Sequence, residues 1–225
     1  MWLTNSSIGK KVLMSVTGFA LILFLTFHAC MNVVALINGD AYNAICEFLG
    51  ANWYAVVGTA ALGALVAVHF IYAFILTIQN RKARGTSRYA VTSKPAKVEW
   101  ASQNMLVLGI IVVLGLLLHL YNFWYNMLFA ELAGDELQAL NAADGMRYIK
   151  ETFANPVFAG IYIVWLIALW FHLTHGFWSA IQTLGINGKI WFNRWRLIGN
   201  IWVTVVILMF VAVVAAFALC PSCVG

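Results

Sequence analysis

The chain holds five histidines, His28, His69, His119, His172 and His175, and each lies inside a long apolar stretch. An ionisable ring within a membrane span is costly and usually functional. A neutral imidazole can ligate a metal, relay a proton or hydrogen-bond a neighbouring helix. Depth separates these uses. At a rise of about 1.5 Å per residue, His28 stands roughly 24 Å from the start of the first stretch, and His119 roughly 25 Å from the start of the third. His69 and His172 stand roughly 24 Å from the starts of the second and fourth. Consecutive spans run in opposite directions, so His28 and His119 share one half of the bilayer, and His69 and His172 the other. Two imidazoles at one depth can clamp a flat macrocycle from both faces, the arrangement of six-coordinate electron-transfer haem. Zinc needs three or four converging N, O or S ligands, and a proton relay needs Asp or Glu within the spans. No acid stands near these depths to complete either. With both axial positions filled, iron keeps no open site for oxygen chemistry. In FHLTHGFWS, His172 and His175 are one helical turn apart, and spacing alone leaves either able to complete its pair.

The elements that must position these rings are membrane helices. Of 225 residues, 63% are hydrophobic and 9% charged, a composition far from that of a soluble domain. Five stretches are long enough to span a bilayer: Val12 to Ile37, Trp53 to Ile78, Ser102 to Leu128, Pro156 to Leu184 and Leu197 to Leu219. The first is too long for a signal-peptide core. Lipid-facing backbone must satisfy its own hydrogen bonds, so each span is expected to be α-helical. The ten-residue alternation of a membrane barrel is missing. The expected fold is therefore an all-α integral membrane bundle of five transmembrane helices, with residues 1–225 forming one domain.

Charge sets the direction. Eleven of the thirteen basic residues fall on one side: Lys10, Lys11, Arg81, Lys82, Arg84, Arg88, Lys94, Lys97, Lys189, Arg194 and Arg196. Arg147 and Lys150 fall on the other, with Asp40, Glu47, Glu131, Asp135, Glu136, Asp144 and Glu151. The positive-inside rule puts the N-terminus in the cytoplasm and the C-terminus outside. The basic excess is a topology signal rather than a nucleic-acid patch. Trp53, Trp100, Trp124, Trp191 and Trp195 lie near span ends, as an aromatic belt does. Gly18, Gly58, Gly109 and Gly160 precede the histidines of their helices by ten to twelve residues. Each thus lies at the depth of the opposite pair, where a macrocycle edge needs room, although small residues serve any membrane helix interface.

HACMN, VHFIYAF, LLHLYNFW and FHLTHGFWSAIQTLG on four spans, with NGDAYN after the first, resemble the cytochrome b membrane subunit of succinate dehydrogenase and quinol:fumarate reductase, in its five-helix, two-haem, single-anchor form. The resemblance covers nearly the whole chain at the level of spans. It implies two haem b groups, with His28 and His119 on the outer iron and His69 and His172 on the inner. On the fourth span it selects His172, with Gly176 four residues on, over His175, which stays the alternative. It also implies a bacterial inner (cytoplasmic) membrane, a menaquinone substrate, and a flavoprotein subunit and an iron–sulfur subunit on the cytoplasmic face. Relatives use a glutamate shortly after the first helix as the quinone's proton acceptor, which points to Glu47. A dihaem cytochrome b of a hydrogenase or formate dehydrogenase, and a haem-free membrane anchor, are the competing classes.

Around Glu47, an outer quinone site would draw on Asn32, Asp40, Tyr42, Asn122 or Trp124; an inner site would lie near Trp100 or Trp191. Haem propionates would look to Lys10, Lys11, Ser15, Arg88, Gln182 or Arg194. CPSC at 220–223 suits an extracytoplasmic disulfide. The segment from Glu131 to Asn155 mixes Leu132, Leu137, Leu140, Met146, Ile149 and Phe153 with charges, the pattern of a short amphipathic helix at the outer interface.

Overall fold

A computed structural model describes residues 6–50, 52–84, 100–134 and 142–220, and every regular element among them is helical. Five helices are long and apolar enough to cross a membrane. Helix α1 (Ser7–Val33) starts at Ser6, whose hydroxyl accepts from Gly9 N at 2.9 Å, and runs into a 3₁₀ turn, Val34–Leu36. Helix α2 (Gly39–Phe48) follows, capped by Asn38 accepting from Ala41 N. Helix α3 (Trp53–Arg84) returns across the bundle. Helix α4 (Trp100–His119) continues as a π-helical segment, Leu120–Phe129, and one further turn, α5 (Ala130–Ala133). Helix α6 (Gly145–Ala154) is capped by Asp144. Asn155 caps α7 (Pro156–Thr183), whose Pro156 fits the first turn because no intrahelical bond needs its missing N–H. Helix α8 (Trp191–Leu219) ends the described chain. Gly185, at φ 76°, takes the left-handed conformation that stops α7.

Four of the spans extend beyond the apolar stretches, and α8 begins six residues earlier, at Trp191. Hydropathy marks only the part suited to hydrocarbon, whereas backbone hydrogen bonding carries the helix through polar flanks. Within the segment from Glu131 to Asn155, α6 is amphipathic, with Met146, Ile149 and Phe153 buried. Leu132 faces outward at 50% exposure, and Leu137 and Leu140 lie outside the described residues, as do Arg88, Lys94, Lys97, Asp135 and Glu136. Cys220 is disulfide-bonded; Cys223, its expected partner, is also outside them.

The core is built around α7. Tyr162, Leu166, Leu169, Leu173 and Phe177 meet Val203, Ile207, Val213, Val214 and Phe217 of α8. Tryptophans tie the bundle together through their N–H groups. Trp202 donates to Thr26 Oγ1 at 2.9 Å, Trp170 to Thr204 Oγ1 at 2.9 Å, and Trp165 to the Val112 carbonyl at 3.0 Å. These join α8 to α1, α7 to α8 and α7 to α4.

The packing leaves two gaps. Helix α1 packs against α3, α7 and α8, and α7 against α8, α4 and α1. Helices α1 and α4 make no more than incidental contact, and the same holds for α3 and α7. Among the long helices α3 packs closely only on α1, and among its described side chains none is buried.

Candidate site: two histidine pairs across the helix gaps

Each gap is bridged by one pair of imidazoles. His28 on α1 and His119 on α4 have ring centroids 5.9 Å apart, with planes at 83°. His69 on α3 and His172 on α7 have centroids 6.5 Å apart, at 73°. A metal ion holding one imidazole nitrogen on each side at about 2 Å places the ring centroids about 6 Å apart, which is what both pairs present. Among the described residues, no three of His, Cys, Asp and Glu converge as a tetrahedral ion would require. Each pair brings two imidazole rings face to edge between helices that scarcely pack otherwise. That donor set fits an axial clamp on a flat macrocycle.

Aromatic side chains wall the outer pair. Phe24 stacks on His28 with centroids 5.5 Å apart, and Phe210 lies 5.7 Å from it. Phe123, Trp165 and Tyr162 surround His119 at 5.1, 5.9 and 6.4 Å. Tyr162 is fixed by Asn122, whose amide donates to its hydroxyl at 3.3 Å from the buried face of the π-helical segment. A π-helical turn beginning one residue after His119 re-aims the side chains that follow, as such segments often do at functional sites. Trp165 reaches His119 only because residue 115 is glycine: a Cβ there would collide with the indole.

The inner pair is held differently. Thr17 Oγ1 lies 3.1 Å from His69 Nδ1. Gly18 gives the ring its place, since a Cβ there would come within 3.0 Å of His69 Cε1. Gly109 faces His172 Cε1 at 4.0 Å, measured from where its Cβ would sit. His172 Nδ1 is buried without a hydrogen-bond partner, an orphaned polar atom of the kind that a bound group's side chain or water satisfies. His175 sits one turn along α7, with its ring edge-on to Trp178 at 5.2 Å. The ring that faces His69 is that of His172. Gly58 and Gly160 have open space beside them.

The outer polar residues form two groups. Asp40, Asn43 and Glu47 of α2 line a cleft of about 370 Å³ with Ala44, Ala143 and Asp144. Asn43 clips α2 to α6, donating to Asp144 Oδ1 at 3.0 Å and accepting from Met146 N at 2.9 Å. Behind the cleft, the Tyr42 hydroxyl donates to Asn32 Oδ1 at 3.3 Å, and the Asn32 amide donates to the His28 carbonyl at 2.8 Å. A polar path thus runs from α2 to the outer pair. Burial pushes the Tyr42 hydroxyl upward and lifts the Cys46 thiol to about 11, so Cys46 stays protonated and unreactive near neutral pH. Trp124 Nε1 is buried without a hydrogen-bond partner. On the opposite side, Trp100 packs edge-on against Phe171 at 5.2 Å and Arg194 covers Trp191 at 5.2 Å. Ser15 is buried, whereas Lys11 and Gln182 are exposed.

Sequence reasoning did not find Thr17, the π-helical segment or the aromatic wall of Tyr162, Trp165 and Phe210. Thr17 was within reach of it: Gly18 had been placed at the depth of His69, and the only polar side chain beside that glycine is Thr17. The wall carried no signal, because aromatic residues are common throughout the spans. Comparison with protein-family models, with curated proteins and with solved structures finds no match to this chain.

Proposed function

We propose that this chain is the cytochrome b membrane subunit of a bacterial succinate:quinone oxidoreductase, passing electrons between a menaquinone pool and a cytoplasmic iron–sulfur subunit. The observation that carries the reading is the pair of bridges, His28 with His119 and His69 with His172, each about 6 Å across helices that otherwise do not pack. Haem b held in each gap would supply one-electron transfer. The four imidazoles would fill both axial positions, and Phe24, Phe123, Trp165 and Phe210 keep water from the outer slot. The two pairs stand apart along α1 by the eleven residues from Thr17, which touches His69, to His28, roughly 16 Å.

In this reading the N-terminus is cytoplasmic and the C-terminus lies outside the inner membrane. The basic ends of α3 and α8 then face an iron–sulfur subunit, itself bound to a flavoprotein subunit that carries the dicarboxylate site. Quinone chemistry needs a proton carrier at the membrane edge. Glu47 lies in the outer cleft beside Asp40 and Asp144, on the same helix as Tyr42.

Purification of the assembled complex from its native membrane tests the assignment. Flavin and iron–sulfur subunits are expected to accompany the chain, and succinate to reduce a menaquinone analogue. A nickel or molybdenum subunit in their place would transfer the chain to the hydrogenase or formate dehydrogenase class. Glu47→Gln is expected to slow menaquinone turnover by about 10²-fold while leaving the visible spectrum unchanged. Turnover equal to that of the unaltered complex would remove Glu47 from the proton path.

A further inference from the structure

Thr17 differs from the other groups around the four imidazoles. It reaches across from α1 to α3 and lies 3.1 Å from His69 Nδ1, closer than the Asn32 amide stands to either ring nitrogen of His28, at 3.5 Å. Its hydroxyl has one proton to give. The carbonyls of Leu13 and Met14, at 2.9 and 3.1 Å on its own helix, take that proton. A lone pair remains for the ring, so Nδ1 carries hydrogen and donates to Thr17; the Met14 backbone carbonyl also accepts from the His69 ring. In a neutral imidazole, Nε2 is then the bare nitrogen. Gly18 places the Nδ1–Cε1 edge of the ring against α1. That leaves Nε2 and Cδ2 on the edge turned away from α1.

We infer that Thr17 is a positioning residue for the inner haem, fixing His69 in the Nδ1–H tautomer and tuning the electron affinity of the iron bound at Nε2. The inference rests on the haem reading of the two pairs. An acceptor at Nδ1–H makes the imidazole a stronger donor at Nε2 and favours the more oxidised metal. The inner pair is asymmetric in this respect, because His172 Nδ1 has no such partner. The Thr17 hydroxyl would thus contribute to a difference in potential between the two haems of one chain.

The experiment is a redox titration of the visible bands in the purified full chain, with the outer haem as internal reference, for the unaltered protein, Thr17→Val and Thr17→Ser. Valine keeps the shape but removes the acceptor; serine keeps the acceptor. At a fixed potential, Thr17→Val is expected to raise the reduced-to-oxidised ratio of the inner haem by about tenfold, about 59 mV for one electron. Thr17→Ser should titrate like the unaltered chain, and the outer haem should not move in either. Loss of the inner haem in the valine variant but not in the serine variant also supports the inference, since serine gives up the methyl of Thr17 and keeps the hydroxyl. An inner haem whose potential is unmoved by valine overturns it, as does equal disturbance by both variants, which would mark a packing role. Absence of haem from the unaltered protein would instead sink the reading on which the inference stands, a result the titration shows before any variant is compared.

Discussion

Alanine at His69 or at His172 is expected to cut the haem content from two per chain to one, and both substitutions should remove the same spectral component. Alanine at His28 or His119 should remove the other. The reason is geometric. Each slot offers two imidazole rings with centroids 5.9 or 6.5 Å apart and, among the described residues, no further cluster of donors. A haem held between two helices that scarcely touch would lose one of its two protein ligands with either imidazole. The double variant His28→Ala, His69→Ala should hold no haem, whereas His172→Ala combined with His69→Ala should still hold one. His175→Ala is expected to keep both, because the ring meeting His69 is that of His172. Pyridine haemochrome counting with low-temperature difference spectra separates these outcomes. Loss on changing His175 with retention on changing His172 would move the ligand one turn along α7. An unaltered spectrum in His69→Ala would favour a haem-free anchor that uses its histidines as interhelical bonds.

The second large effect concerns a residue with no donor atom. Gly115→Leu is expected to destabilise the bundle by about 1–3 kcal/mol or more and to displace the outer haem. A side chain at 115 occupies the volume of the Trp165 indole. Trp165 is held by its bond to the Val112 carbonyl and packs on His119, so it cannot yield without breaking the α4–α7 contact and uncovering the ring. Gly63→Ala makes the control, since Gly63 is exposed on α3 and a Cβ there meets nothing within 4 Å. Thermal unfolding in detergent, followed with the haem-to-protein ratio, reads both effects. A Gly115→Leu protein that melts and binds haem like its parent would show that the indole is not part of the wall.

The five long helices were legible because twenty or more apolar residues in sequence leave the chain little choice of structure. The meeting of the histidines was legible for a related reason: rise per residue is nearly constant in a helix, so counting residues measures depth. Lateral arrangement does not follow from counting. Nothing in the order of residues says that α3 rests only on α1, or that α1 and α4 stay apart while α7 and α8 interlock through Gly199 and Phe177. Those outcomes depend on which side chains interdigitate, and small residues occur on every face. Helix α2 was passed over because its ten residues are short and mixed in polarity, although Asn38 and Asp40 are good signals for a helix start. The π-helical segment after His119 has no composition of its own. The choice between His172 and His175, open on spacing alone, depends on helix rotation, and in the fold His172 is the one opposite His69.

The most direct test of the central claim is the ratio of haem b to polypeptide in the purified, unaltered chain, taken with the ligand-field signature of the oxidised iron. Two low-spin haems per chain, each with two nitrogen axial ligands, are what the paired imidazoles require. A chain that purifies folded with one haem or none, or with an open high-spin iron, would contradict the account.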